Sequence, residues 1–264
     1  MRFASKVAVI AVALGALVAA TGCHRKQTAK PVQPPARMSF YQATPDATVR
    51  LTLAPAIAPH TALRFKLYQD GVHELTAFIT EARNDHDRVK AKGGTPRPYE
   101  HAISWTITAA TPRLLSAWGT WFDYAGGAHP NNGSEALLWD DINDREVQRS
   151  ELFRTGADQA PLDAALCQAI HRAKAERGGS AADQQGWNCP MWADSNFVFA
   201  PSVVSGKLGG LIFLFDPYAI GPYAEGTYEV TVPLDAFKSE LAPAWAADFA
   251  GSPAASAPQA VVTG

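Results

Sequence analysis

The sequence has few charged residues, only three cysteines and none of the familiar catalytic signatures. Charged residues make up 18% of its 264 residues, with 23 Lys and Arg against 25 Asp and Glu. No basic stripe stands out along the chain, which argues against a nucleic-acid partner. No repeat of fixed period is present either, so a repeat architecture is not indicated.

Signatures of hydrolases and metal sites are also missing. Neither Ser150 nor Ser195 lies in a Gly-x-Ser-x-Gly elbow. The acidic stretch 140–146 lacks the glycine and the spacing of an EF-hand loop, so it is interpreted as a solvated turn. The sequence therefore predicts no cofactor, no metal and no catalytic residue, although a triad assembled in space would not show in sequence order.

The N-terminus has the layout of a secretory signal peptide, predicted to span residues 1–22. Arg2 and Lys6 provide a positive start, and the apolar run 7–20 is too short to span a bilayer. Gly22-Cys23 then resembles the lipobox of bacterial lipoproteins, which implies cleavage before Cys23 and acylation of its thiol. The alternative is a soluble secreted protein with a chance cysteine.

The resemblance to lipoproteins also predicts a location. His24 follows the cysteine where an Asp would retain the protein at the inner membrane, so the sorting pattern indicates the outer membrane. We expect an exported protein, lipid-anchored in the cell envelope on the periplasmic face of the outer membrane and not spanning it. Removal of the signal peptide leaves 21 basic and 25 acidic residues, a mildly acidic mature chain.

Both ends of the mature chain are low in complexity. After the acylated cysteine, the proline-rich stretch predicts a flexible tether over residues 23–43, and the stretch 250–264 predicts a disordered tail. The residues between these ends are numerous enough to bury a sizeable core.

Two further cysteines, Cys167 and Cys189, are expected to pair. An even number of cysteines in an exported chain is typical of a disulfide. His171 lies four residues after Cys167 on the same face of a predicted helix, so a zinc site made by these three residues is the rival interpretation. Two free thiols are the third interpretation. The oxidising compartment favours the disulfide.

Hydrophobic periodicity predicts an α+β fold, with a curved, mainly antiparallel sheet covered by helices. Residues 47–54 alternate as in a half-buried strand, whereas 61–85 and 158–179 have helical spacing. Two strand-like runs on either side of the stretch YAGGAHPNNG predict a hairpin with an extended loop. The stretch LGGLIFLFDPY is apolar on both faces, which predicts a central covered strand, and a last short helix is expected over residues 234–247.

Two separated motifs resemble a known family. The first comprises Tyr124, Gly126, Gly127 and His129 in a turn after a strand; the second comprises Pro217, Tyr218, Gly221, Pro222, Tyr223 and Gly226. Together they resemble the C-terminal domain shared by RsiV, a lysozyme-sensing anti-sigma factor, and by PdaC-type peptidoglycan deacetylases. The resemblance places an RsiV-like domain at residues 112–249 and, more weakly, a PdaC-type companion region at 44–111.

The resemblance implies a function but does not transfer an enzymatic activity. The turn continues with Pro130 where the family usually has Gly, and the paired aspartates and His-x3-His of the deacetylase catalytic domain are not found. The family implies peptidoglycan or a lysozyme-like muramidase as partner. We therefore expect a non-catalytic envelope lipoprotein that binds a cell-wall component or a wall-acting protein. Alternatives are a peptidoglycan hydrolase or deacetylase with an unrecognised site, or a structural envelope protein.

Five residues are candidates for ligand binding: His129, Trp187, Trp192, Tyr218 and Tyr223. His129 is interpreted first as part of a hairpin turn, with recognition and catalysis as alternatives. Tyr218 and Tyr223 are interpreted as core or turn supports, or else as a binding lip. Trp187 and Trp192 are expected to be the more exposed pair. A pocket with convergent His, Asp and Glu of perturbed pKa would favour an enzyme. A grooved aromatic surface would favour binding. The oligomeric state stays open.

Overall fold

The computed structural model describes residues 37–177 and 188–255. The predicted signal peptide, Cys23, most of the predicted tether and Trp187 lie outside the described residues, so the predictions about them stay predictions.

The described residues form nine strands and three α-helices, an α+β fold as predicted. In chain order they are β1 (Ser39–Ala43), β2 (Ala47–Leu53), α1 (Thr61–Ala91), β3 (Tyr99–Ala110), β4 (Leu114–Tyr124), β5 (Asn131–Asp140), β6 (Arg145–Glu146), α2 (Ala160–Glu176), β7 (Asn196–Pro201), β8 (Leu208–Phe215), β9 (Tyr228–Pro233) and α3 (Pro243–Ala246).

Two sheets carry the fold. The first has the order β1-β2-β3-β4-β5-β6, and the second has the order β7-β8-β9. Among the paired strands of the described residues, β2 and β3 alone run parallel to each other. This follows from the crossover through α1, because parallel neighbours need a long connection whereas the other strands are joined by short links. The mainly antiparallel sheet expected from the sequence is confirmed.

The layers follow from which residues face each other. On one side of the first sheet, Leu51 and Leu115 share a core with Leu67 and Leu75 of α1. On its other side, Trp118 packs against residues of the second sheet. The far side of the second sheet packs against the apolar face of α2. Strand β8 is therefore covered on both faces, and all its residues are buried.

Gly71 has a packing role in α1 that its weak helix propensity does not indicate. A Cβ atom at this position would lie 2.9 Å from Cδ1 of Leu51. The glycine therefore lets the helix approach β2 closely, and the helix continues through it.

Several boundaries differ from those expected. Residues 39–43, assigned to the tether, form β1 at the edge of the first sheet. In the predicted tail, Ser252 accepts a hydrogen bond from Val203 N–H at 3.0 Å. The last helix is mostly replaced by two 3-10 turns, and α3 covers only Pro243–Ala246. Pro243 explains the break, because a proline disfavours helical geometry in the residue before it. The predicted domain boundary at 111–112 lies in the turn between the paired strands β3 and β4.

In the part of the chain that the structure describes, no helix combines the length and the hydrophobicity needed to cross a bilayer.

Candidate functional site

The two family motifs meet in space. The first motif lies on the loop between β4 and β5, and the second lies on the loop between β8 and β9. The His129 ring lies 4.6 Å from the Tyr223 ring, and Tyr223 lies 5.5 Å from the Tyr218 ring, measured between ring centroids. We call these three residues the aromatic row.

The aromatic row is exposed at both ends and half-buried in the middle. Tyr218 is 60% exposed and has a positive φ of 74°. Tyr223 is half-buried, and its hydroxyl donates to the Pro130 carbonyl at 3.2 Å. His129 is exposed, and its Nδ1 lies 2.9 Å from the same carbonyl. The carbonyl of Pro130 thus joins the two loops.

The glycines of the motifs shape these loops. Gly126 and Gly226 have φ angles of 77° and 72°, which residues with a side chain rarely adopt. Gly221 is required for another reason. A Cβ atom there would overlap the Glu225 carboxylate and lie 2.9 Å from Lys174 Nζ. Of the other motif residues, Tyr124 ends β4 and Gly127 lies in the exposed loop. Pro217 directly precedes Tyr218, and Pro222 directly precedes Tyr223.

A buried ionic network holds the second loop. Lys174 of α2 is only 3% exposed, and its Nζ donates to the Ile220 carbonyl at 2.7 Å and to the Glu225 carboxylate at 2.9 Å. The Tyr228 hydroxyl donates to the same carboxylate. Burial, followed by the effect of Glu225, raises the pKa of Tyr228. The phenol therefore stays protonated as a donor.

Arg177 extends this network. Its guanidinium stacks 3.7 Å from the centre of the Tyr228 ring and donates to the carbonyls of Glu225 and Thr227, each at 2.7 Å. The base of the loop is therefore fixed to the C-terminal turn of α2, and the aromatic row stands on a rigid support.

Sequence reasoning missed this network. Lys174 lies four residues after Ile170, on the face of α2 that is otherwise apolar. A lysine at such a position indicates a buried partner, because an unpaired buried ammonium is costly. That signal was available in the sequence, whereas the identity of the partner was not.

Asp216, at the start of the second loop, connects it to β5. Burial raises the pKa of Asp216, and hydrogen bonds from Ser134 oppose this shift. Its Oδ1 atom is buried and has no hydrogen-bond partner among the described residues. The carboxyl group is therefore more readily protonated than an exposed aspartate.

Trp192 does not belong to the aromatic row, and the expectation that it is exposed is wrong. It is 8% exposed and packs 4.6 Å from the Phe153 ring, in a short turn whose backbone N–H donates to Asp163. The hydrophobic effect draws its ring into the core, although the stretch 183–196 that contains it is rich in polar residues.

Cys167 and Cys189 lie at disulfide-bonding distance, with their Cα atoms 5.3 Å apart. His171 Nε2 lies 3.8 Å and 3.6 Å from the two sulfur atoms. These three residues are the set that the zinc interpretation named. Sulfur atoms joined in a disulfide are not thiolates, so the oxidised pair cannot supply thiolate ligands.

A second feature is a groove between α1 and the first sheet, which we call the α1 groove. It has a volume of about 220 Å³, and its charged lining comprises four carboxylates and one lysine: Asp70, Glu74, Glu135, Glu146 and Lys66. Lys66 pairs with Asp70 at 2.8 Å. His101 Nε2 lies 3.0 Å from Glu74 Oε1. Desolvation of its carboxyl group, followed by the nearby charge of Glu74, raises the pKa of Glu135. The groove is thus acidic and contains a carboxyl group with a raised pKa.

The two features differ in chemistry. The aromatic row offers aromatic rings and hydroxyl groups, and no hydrogen bond among the described residues connects His129 to a carboxylate, serine or cysteine. The α1 groove offers carboxyl groups, one of which contacts the imidazole of His101. The first arrangement is suited to contact with a ligand, and the second to cation binding or proton transfer.

Comparison with known proteins defines the class of domain. Residues 150–235 match the profile of the family described as "Protein of unknown function (DUF3298)". The chain therefore carries a DUF3298 domain in this range. The range includes Tyr218 and Tyr223 of the aromatic row but not His129. No curated protein matches the chain.

Two solved structures share the fold. A DUF3298 family member from Bacteroides fragilis aligns with a TM-score of 0.52 and 16% identity, covering 77% of this chain and 91% of its own. A DUF3298 family protein from Pseudomonas aeruginosa PAO1 aligns with a TM-score of 0.54 and 14% identity, covering 78% and 91%. At this identity the likeness concerns the fold alone.

Proposed function

We propose that the protein is a cell-envelope lipoprotein whose DUF3298 domain binds cell-wall glycan without catalysis, through the aromatic row. The observation that carries the proposal is the row of neighbouring Tyr218, Tyr223 and His129 rings, in which the two tyrosines lie on a loop held by buried Lys174. Flat aromatic faces pack against the apolar faces of sugar rings, and phenol groups supply hydrogen bonds.

Three further features support this proposal. The signal peptide and the lipobox-like Gly22-Cys23 direct the chain to the envelope, where peptidoglycan lies. The resemblance to RsiV and to PdaC-type deacetylases points to wall-related ligands. The fixed loop base reduces the conformational entropy that binding would otherwise cost.

Sedimentation of the full-length protein with purified peptidoglycan tests the proposal. We expect saturable binding that falls at least about tenfold in Tyr218→Ser, the scale expected for a binding anchor. Tyr41→Ser is the matched control, because Tyr41 is 61% exposed but lies on β1, away from the row. Equal losses in both variants, or no saturable binding by the native protein, would contradict the proposal.

A protein partner is the other outcome that the family resemblance implies. Lysozyme-type muramidases are basic, and the α1 groove is lined by four acidic residues, which complement a basic surface. The same preparation is therefore assayed for inhibition of lysozyme. Salt-sensitive inhibition that is weakened by Glu74→Gln and unaffected by Tyr218→Ser would replace the glycan proposal with a muramidase-binding one.

One observation favours an enzyme as the second candidate. Glu135, which lines the α1 groove, has a raised pKa, and Glu74 of the same lining contacts His101, a combination typical of acid–base sites. Release of reducing ends or acetate from peptidoglycan, abolished by Glu135→Gln, would establish this activity. Unchanged release in Glu135→Gln would assign it to a contaminating enzyme.

A further inference from the structure

A larger groove lies at the end of β4 and β5 opposite to the aromatic row, and none of the functions considered above involves it. It has a volume of about 890 Å³, within the range of ligand sites. Its wall combines Arg113 before β4, Arg145 of β6, the loop 153–159 and the segment 242–245. We call it the arginine groove.

Three arginines, Arg113, Arg145 and Arg154, line the groove, and Glu151 is the only acidic residue among its described lining residues. Each arginine pairs with one carboxylate: Arg113 with Asp140, Arg145 with Glu151 and Arg154 with Glu240. Arg145 donates to both oxygens of Glu151, at 3.1 and 2.8 Å. A guanidinium has five donors, so each arginine retains N–H groups for a ligand. Such groups recognise carboxylates in a paired geometry.

Arg113 is held in place by its neighbours. Its guanidinium stacks 4.2 Å from the centre of the Trp245 ring, and it donates to the Ala244 carbonyl at 3.0 Å and to buried Asp140 at 3.4 Å. Trp245 is anchored in turn, because its Nε1 donates to the Glu151 carbonyl at 2.9 Å. These contacts pre-organise one charged wall of the groove.

The remaining lining is suited to a polyhydroxylated ligand. Gln159 lines the groove. Its side-chain amide can donate and accept hydrogen bonds, as sugar hydroxyl groups do. Ser150 and Thr155 add hydroxyl groups, and Phe153 and Trp192 add an apolar wall.

We propose that the arginine groove binds a carboxylate-bearing saccharide. The arginines select the carboxylate, while Gln159 and the hydroxyl groups contact the sugar. The site is independent of the aromatic row. The arginine groove and the aromatic row lie at opposite ends of β4, whose 11 residues span about 35 Å at the usual rise per residue. A ligand in the groove is therefore a separate contact and does not rest on the proposed function.

Two small probes test the charge requirement by calorimetry on the full-length protein. The first is the disaccharide of N-acetylglucosamine and N-acetylmuramic acid, which bears one carboxylate; the second is its neutral analogue, N,N′-diacetylchitobiose. We expect the acidic disaccharide to bind at least about tenfold more tightly, the scale of one charge-assisted hydrogen bond. Equal affinities, or no binding of either sugar, would overturn the proposal.

Substitutions that remove either a positive or a negative charge locate the site. Arg145→Gln and Arg154→Gln should each weaken the acidic disaccharide by about tenfold, whereas Glu151→Gln should strengthen its binding because the carboxylate that competes for Arg145 is removed. Arg88→Gln is the control, since Arg88 is an exposed arginine on α1. Weaker binding in Glu151→Gln, or equal loss in Arg88→Gln, would overturn the assignment.

Discussion

The buried Lys174 is the residue on which the shape of the second loop depends most directly. Lys174→Met would leave the Ile220 carbonyl without its donor and Glu225 without its ammonium partner. Breaking a fully buried pair costs about 3–5 kcal/mol. Because the Glu225 side chain is 24% exposed, water can solvate part of its charge, and we expect a loss of about 2–3 kcal/mol.

Denaturant unfolding of the purified protein measures this loss. Lys66→Met is the matched control, because Lys66 pairs with Asp70 on the surface of α1, where the side chains are 37% and 62% exposed. An exposed pair contributes less than about 1 kcal/mol, so the control should shift stability by less than the Lys174 variant.

A double-mutant cycle separates the ion pair from the loss of packing. Glu225→Gln added to Lys174→Met removes the charge that the single substitution leaves behind, so the double variant should be more stable than the sum of the single effects predicts. Similar losses in Lys174→Met and Lys66→Met, or simple additivity in the cycle, would refute the account of the loop.

Other predictions concern the same loop and the disulfide. Gly221→Ala should cost about 1–3 kcal/mol because its Cβ would overlap the Glu225 carboxylate, whereas Gly127→Ala, with open space around it, should be nearly neutral; thermal unfolding distinguishes them. Burial raises the folded-state pKa of Asp216, so the contribution of this residue to stability is lost as the pH rises from the unfolded-state pKa through the folded-state pKa. The stability of Asp216→Asn relative to the native protein should therefore increase between acidic and neutral pH. A stability difference that does not change with pH would contradict this prediction. Reduction of Cys167–Cys189 should lower stability by about 3 kcal/mol, measured by unfolding with and without reductant.

The pattern of side chains was sufficient to predict much of the fold. Alternation in β2 and β9, and the run of apolar residues in β8, correspond to the burial seen in the structure. These features are local, since a strand's faces repeat every two residues. Where the prediction failed, the cause was a longer-range contact or a single residue, as with β1, which becomes a strand only by pairing with β2.

The candidate site was predicted in part. The motif residues Tyr218 and Tyr223 could be named from the resemblance, but their stacking with His129 depends on two loops that are far apart in sequence. The exposure of Trp192 was predicted wrongly, because the polar stretch around it does not indicate that Phe153 packs against its ring. The arginine groove was not predicted at all, since its charged lining comes from three segments that are separate in sequence.

The central claim is that the aromatic row binds cell-wall glycan, and binding to purified peptidoglycan tests it most directly. Full-length native protein, Tyr218→Ser and the control Tyr41→Ser would be compared over a range of protein concentrations. The account predicts saturable binding that is retained in Tyr41→Ser and falls by at least about tenfold in Tyr218→Ser. Saturable binding that is equal in all three proteins, or no binding by the native protein, would contradict it.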